Sequence, residues 1–134
     1  MARRSAAELL HSAKAILNRS VSPYSGFRVA AVLEDAQGNE YPGINVESAS
    51  YGLSICAERN ALHGALARGA ADFQRLAVVA ETARPVLPCG ACRQVLSEHA
   101  PNLTLILERA DGTPEEVPLR ELLPRPFVDH RKSP

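Results

Sequence analysis

Only three cysteines stand in this chain of 134 residues, and they fall in two short stretches, Cys56-Ala57-Glu58 and Pro88-Cys89-Gly90-Ala91-Cys92. An odd number of thiols cannot close into intramolecular disulfides, which suits a reducing compartment and thiolates free for a metal. A zinc site that performs chemistry takes three protein ligands and keeps one position for water, whereas a structural site closes with four. Three thiols with Glu58 beside them fit the first pattern. Whatever the fold, it must bring residues 56, 89 and 92 to one point.

Two other readings of the same residues are open. One is a redox Cys-x-x-Cys pair with an unrelated third thiol, which leaves Cys56 and Glu58 without a role. The other is a structural zinc module completed by a histidine, and there the spacing is unfavourable. His63 lies seven residues beyond Cys56, about 10 Å along a helix at 1.5 Å per residue, and a ligand must reach about 2 Å. His99 stands in the same relation to Cys92, His11 sits on the polar side of an N-terminal helical pattern, and His130 is in the C-terminal tail. The order Cys-x-Glu, then Pro-Cys-x-x-Cys, is itself the recognised signature of zinc deaminases, in which the glutamate is general acid/base and not a ligand.

Fifteen basic and fifteen acidic residues cancel, and no basic run stands out. This argues against a nucleic-acid partner gripped through its backbone. Arg3 and Arg4 are followed by Glu8, His11 and Lys14 with no apolar stretch, so neither a secretory signal nor a membrane span is expected, and the cytoplasm is the expected location. The length suits a single catalytic domain over residues 1–134, with about 128–134 a flexible tail.

Leu9, Leu10, Ala13, Ile16 and Leu17 predict an amphipathic helix from Ser5 to about Arg19, with Ser5 and Glu8 as a capping box. After a loop broken by Pro23 and Gly26, Phe27–Glu34 and Glu40–Val46 read as a β-hairpin around Gly38. A helix starts near Cys56 and stops at Gly69. Leu76–Ala80 is an apolar strand, Cys89 to about His99 a second helix ending before Pro101, and Leu103–Glu108 another strand. Asp111-Gly112 marks a turn, Glu116–Pro118 a weak strand and Leu119–Leu123 one helical turn. The alternation predicts an α/β fold, a three-layer α/β/α sandwich with a mixed, mostly parallel five-stranded sheet.

Both cysteine stretches then lie at helix starts, whose unpaired N–H groups and positive dipole ends favour thiolate. Three thiolates on a dication leave a net negative charge, which works against acidifying a bound water. The helix ends, Arg59 and Arg93 are the candidates to offset it. Glu58 is the candidate general acid/base.

Four stretches together resemble the small homotetrameric zinc-dependent cytidine deaminases: Pro23-Tyr24-Ser25-Gly26-Phe27, Asn45 through Gly52, Cys56-Ala57-Glu58-Arg59 and Pro88 through Gln94. The likeness runs from about Leu9 to Phe127, in matching order and spacing. It implies that Cys56, Cys89 and Cys92 hold one Zn²⁺ per subunit, and that Glu58 shuttles protons while hydroxide attacks C4 of free cytidine or deoxycytidine. It implies further that Phe27 packs on the base, the backbone N–H of Ala57 binds the base carbonyl, and Asn45 and Glu47 hold ribose hydroxyls. Residues two apart on an extended segment do point the same way. By the same resemblance Ala49, Tyr51 and Phe127 reach into a neighbouring subunit's pocket. A carboxylate at Glu47 suits a free hydroxyl better than the phosphate of a polynucleotide. Deamination of a nucleoside antibiotic is the alternative that motifs alone do not separate. The chain departs from many relatives at Ala30, where they carry glycine, and at Asn60, where they often carry threonine.

Overall fold

The structure, a computed structural model, describes residues 3–82, 84–129 and 131. The first helix, α1 (Ala6–Lys14), begins at the expected capping box: Ser5 N–H donates to Glu8 Oε1 at 2.8 Å and Glu8 N–H to Ser5 Oγ at 3.1 Å. It is shorter than its apolar spacing predicts. Ile16 N–H turns back to the Ala13 carbonyl, and the chain continues as one 3-10 turn over Leu17–Arg19.

The hairpin forms as expected from β1 (Val29–Asp35) and β2 (Glu40–Ile44). Helix α2 (Ala57–Ala67) follows and ends in a Schellman turn, with Ala70 N–H on the Ala65 carbonyl and Gly69 N–H on that of Leu66. Gly69 has φ +78°, which explains its place there. Then come β3 (Phe73–Ala80), α3 (Gly90–His99), β4 (Thr104–Glu108), β5 (Pro114–Pro118) and the short α4 (Leu119–Leu122).

The five strands lie in the order β2-β1-β3-β4-β5. The sheet is mixed, but the expectation of mostly parallel pairing fails. Only β3–β4 pair in parallel, while β1–β2, β1–β3 and β4–β5 are antiparallel. The cause is the position of β1. Strands β2, β3 and β4 do run the same way, as helical crossovers through α2 and α3 require, but β1 lies between β2 and β3 and opposes both.

Helices cover both faces of the sheet. Under α1, Leu9, Leu10 and Ala13 pack on Ala30, Val32, Ala77, Val79 and Ile106. On the other face Ala61, Leu62 and Leu96 pack on Ala31, Leu33, Leu76, Val78, Leu105 and Leu107. Strands buried on both faces explain the unbroken apolar runs of β1 and β3. The methyl of Ala30, a departure from the family pattern, is fully buried in the α1 layer.

The placement of α2 depends on Gly43. A Cβ at that position would lie 2.3 Å from the Ala57 carbonyl oxygen and 2.4 Å from the Ala61 nitrogen. Backbone thus meets backbone, and Asn60 adds a bond from Nδ2 to the Ile44 carbonyl at 2.8 Å. The first turn of α2, which carries Cys56 and Glu58, is thereby seated on the end of β2. Tail residues 130 and 132–134, including His130, lie outside the described residues.

Candidate active site

Cys56 is the N-cap of α2, Cys89 is the N-cap of α3, and Cys92 is in the first turn of α3. Their three Sγ atoms all lie within 4.8 Å of one another, with Cys56–Cys89 at 3.7 Å and Cys89–Cys92 at 3.4 Å. Tetrahedral Zn–S bonds of about 2.3 Å place sulfurs about 3.8 Å apart, so the triangle fits one zinc ion. Among the described residues no histidine, aspartate or glutamate joins the cluster, so the protein would supply three ligands to such an ion. The redox and structural-zinc readings each lack support from this geometry: Cys56 belongs with the Cys-x-x-Cys pair, and His63 and His99 are exposed.

The electrostatics are asymmetric. Hydrogen bonding with Cys92, then with Arg59 and Cys89, outweighs burial and pulls the Cys56 thiol down to about 5. The same contact with Cys56, with burial, pushes the Cys92 thiol up. Arg59 Nη2 sits 3.5 Å from Cys56 Sγ, while Arg93 donates from Nε to the Pro88 carbonyl at 2.8 Å and from Nη1 to that of Leu122 at 3.1 Å. Of the two arginines expected to offset thiolate charge, it is Arg59 whose guanidinium reaches a sulfur. Arg93 holds backbone.

Glu58 is the second residue of α2 and is 4% exposed. Burial first, then the neighbouring Cys56, lifts its carboxyl to about 7, against the pull of Arg59. A carboxyl in that range can hold or release a proton near neutral pH. Ala57, the first helical residue, is fully buried, and its N–H is one that the helix leaves without an internal acceptor.

Val46 N–H and C=O pair with those of Ile55 at 3.0 Å each. This antiparallel bridge sets Asn45 across from Cys56 and Glu47 across from Ser54. The proposed ribose pair is therefore brought beside the thiols by backbone pairing. Both side chains are also occupied by the 20–29 segment. Asn45 Oδ1 accepts from Ser20 Oγ at 2.5 Å and Val29 N–H at 3.0 Å, and its Nδ2 donates to the Phe27 carbonyl at 2.8 Å. Glu47 accepts from the N–H groups of Tyr24 and Ser25 at 3.0 Å each, and from the Ser25 hydroxyl. The Ser25 hydroxyl, then its N–H, holds the Glu47 carboxyl below its ordinary range.

Tyr24, Ser25, Glu47, Tyr51 and Ser54 line a cavity of about 370 Å³. Tyr24 and Tyr51 form its aromatic side, edge to face with ring centres 6.0 Å apart. Phe27 is half-exposed, Ala49 exposed, and Tyr51 and Phe127 are each 75% exposed. The structure thus gathers Cys56, Cys89, Cys92, Glu58, Arg59, Asn45 and Glu47, sets the largely exposed Tyr51 on the cavity beside Glu47, and leaves Ala49 and Phe127 exposed. Ser25 stands in one of the stretches that carry the resemblance but was given no role from sequence, and Ser54 was not singled out, since lone serines in polar loops carry no pattern.

A thiolate metal centre with a buried acid beside it, set in a layered α/β fold, defines a zinc-dependent class of protein. The family model of the cytidine and deoxycytidylate deaminase zinc-binding region matches residues 3–107. A cytidine deaminase of Halalkalibacterium halodurans is 49% identical over 107 residues, covering 79% of this chain and 81% of that one. One of Sporosarcina psychrophila is 40% identical, covering 90% and 89%. The crystal structure of cytidine deaminase from Burkholderia pseudomallei superposes with a TM-score of 0.88 at 43% identity, covering 92% of this chain and 100% of that one. The chain belongs to the cytidine and deoxycytidylate deaminase family.

Proposed function

We propose that the protein is a cytidine deaminase, hydrolysing free cytidine and deoxycytidine to uridine and deoxyuridine with release of ammonia. The observation that carries this reading is the convergence of Cys56, Cys89 and Cys92 at two helix starts, with buried Glu58 two residues from the first thiol. Relatives named cytidine deaminases support the substrate class.

Cys56, Cys89 and Cys92 would hold a zinc ion, which would supply the Lewis acidity that makes water a nucleophile near neutral pH. The chain's own residues do the rest. The Glu58 carboxylate takes one proton from the attacking water and passes it to N3, then takes the second from the new C4 hydroxyl and passes it to the departing amino group. Water oxygen adds at C4, the C4–N4 bond breaks, and ammonia leaves. The Ala57 N–H binds the base carbonyl, Phe27 packs against the ring, and Asn45 and Glu47 take the ribose hydroxyls. Arg59 offsets the charge of Cys56.

On this reading residues 1–134 form one catalytic domain working in the cytoplasm as a homotetramer, with Ala49, Tyr51 and Phe127 completing a neighbour's pocket. Exposure of two of those rings supports it. Light scattering that shows an active monomer overturns this assembly.

The reaction is tested by following the loss of cytidine absorbance with wild-type and Glu58→Gln protein, with zinc measured in both. The variant is expected to keep its metal and lose about 10²–10⁴-fold in turnover. Near wild-type turnover refutes the role of Glu58.

A further inference from the structure

The geometry points to Gln94 as a positioning residue that sets the direction of the Phe127 ring. The inference rests on the reading above that Phe127 completes a neighbour's pocket. Residues beyond α4 run without regular secondary structure, and among the described residues no backbone–backbone hydrogen bond holds them past Leu123. Such a segment would leave an exposed ring free to wander. Instead the Gln94 carboxamide grips both backbone groups of Phe127. Its Nε2 donates to the Phe127 carbonyl at 2.9 Å, and its Oε1 accepts from the Phe127 N–H at 3.1 Å.

The approach to that clamp is stiff. Pro124 and Pro126 have locked φ angles, and Arg125, preceding a proline, is confined to extended backbone. Arg93 fixes the start of the segment through the Leu122 carbonyl. With both ends of 122–127 held, the Phe127 side chain leaves the backbone in one direction while its ring is 75% exposed. The second Nε2 hydrogen of Gln94 goes to Glu98 Oε2 at 3.1 Å, one turn on, which orients the amide and distinguishes its two ends.

Gln94 also ties this arm to the thiols. It lies two residues after Cys92 on α3, a rotation of about 200° at 3.6 residues per turn. Cys92 therefore points inward and Gln94 leaves on the other side toward the C-terminal segment. One helix carries two of the three thiols and the clamp on Phe127.

The test uses zinc-loaded Gln94→Ala, Phe127→Ala and the double variant, with kcat, KM for cytidine, zinc content and amide hydrogen exchange at Phe127. Gln94→Ala is expected to raise KM about tenfold while changing kcat less than about threefold. Zinc content should be unchanged and exchange at the Phe127 amide faster. The double variant should be no worse than Phe127→Ala alone, since coupled residues are not additive. If Phe127→Ala raises KM and Gln94→Ala does not, the inference is overturned with the reading of Phe127 intact. If Phe127→Ala leaves KM unchanged, the reading of Phe127 falls and takes the inference with it. Unaltered amide exchange in Gln94→Ala also overturns the inference, because the clamp would then hold nothing.

Discussion

Arg59 Nη2 lies 3.5 Å from the sulfur of Cys56, and Arg59 Nε is buried without a hydrogen-bond partner. A buried donor left unpaired is costly, and its guanidinium is kept there by the thiolate charge it faces. Contact with the Cys56 sulfur raises the Arg59 pKa and helps lower that of Cys56. Removing the guanidinium leaves three thiolates with less compensation, so Arg59→Gln should bind zinc more weakly and turn over more slowly. Partners one step out from a metal typically contribute about 10–100-fold in affinity or activity. Competition with a chelator at fixed pH, run beside the cytidine assay, measures both losses. Unchanged zinc retention would assign the compensation to the helix ends alone.

Glu47 accepts three hydrogen bonds from the Tyr24–Ser25 turn while lining the cavity. It shapes the turn, and on the proposed reading it also meets a ribose hydroxyl; the two duties can be separated. Glu47→Gln should raise KM for cytidine by about 10-fold or more, because a site built to bond a hydroxyl loses that bond. For 2′,3′-dideoxycytidine the same substitution should cost much less. Equal penalties for both nucleosides would show that Glu47 acts only on the turn.

The gathering of the three thiols beside Glu58 was legible because it depends on residue types at short fixed spacing, Cys56 with Glu58 and Cys89 with Cys92, and the capping box of Ser5 and Glu8 on α1 was legible in the same way. The hairpin was legible for the same local reason. The direction of the β1–β3 pairing was not, because it follows from β1 lying between two strands joined through α2, a relation between Leu33 and Leu76 that no local pattern carries. The work of Arg93 was equally hidden. Its acceptor on α4, the Leu122 carbonyl, is 29 residues away, and only tertiary packing brings it near. Asn45 and Glu47 were marked for substrate, while their service to the 20–29 segment appears only when that segment folds back along residues 45–47 through the Val21–Val46 bridge.

Gly43→Ala should be among the most damaging single-methyl additions in this fold. The added carbon would sit 2.3 Å from the Ala57 carbonyl oxygen and 2.4 Å from the Ala61 nitrogen, so α2 must move off β2. Overpacking usually costs about 1–3 kcal/mol, and rigid backbone on the far side places this case at the upper end. Since the same turn carries Cys56 and Glu58, activity should fall with stability. Urea unfolding and zinc content check both, and a variant with a wild-type midpoint would show that α2 shifts at little cost.

Asp35 is 4% exposed, yet its carboxyl titrates below the ordinary carboxylate range. Burial alone would raise it, but Asn39 through side chain and backbone, Tyr41 through its hydroxyl at 2.9 Å, and Gln37 N–H at 3.0 Å all donate to the charged form. These bonds close the turn between β1 and β2. A carboxyl whose folded pKa is depressed adds stability above its unfolded value of about 4, and that stability is lost as pH falls through the folded pKa. Asp35→Asn keeps the shape and one of the two acceptor oxygens but not the charge. Its urea midpoint should lie below that of the wild type at neutral pH; the gap should begin to close as pH falls below the unfolded value of about 4 and should be lost once pH passes the lower folded pKa, where the native carboxyl protonates. Metal loss in acid affects both proteins and cancels in the difference. A gap that stays constant across the acid range would mean that the Asp35 charge contributes nothing to the hairpin.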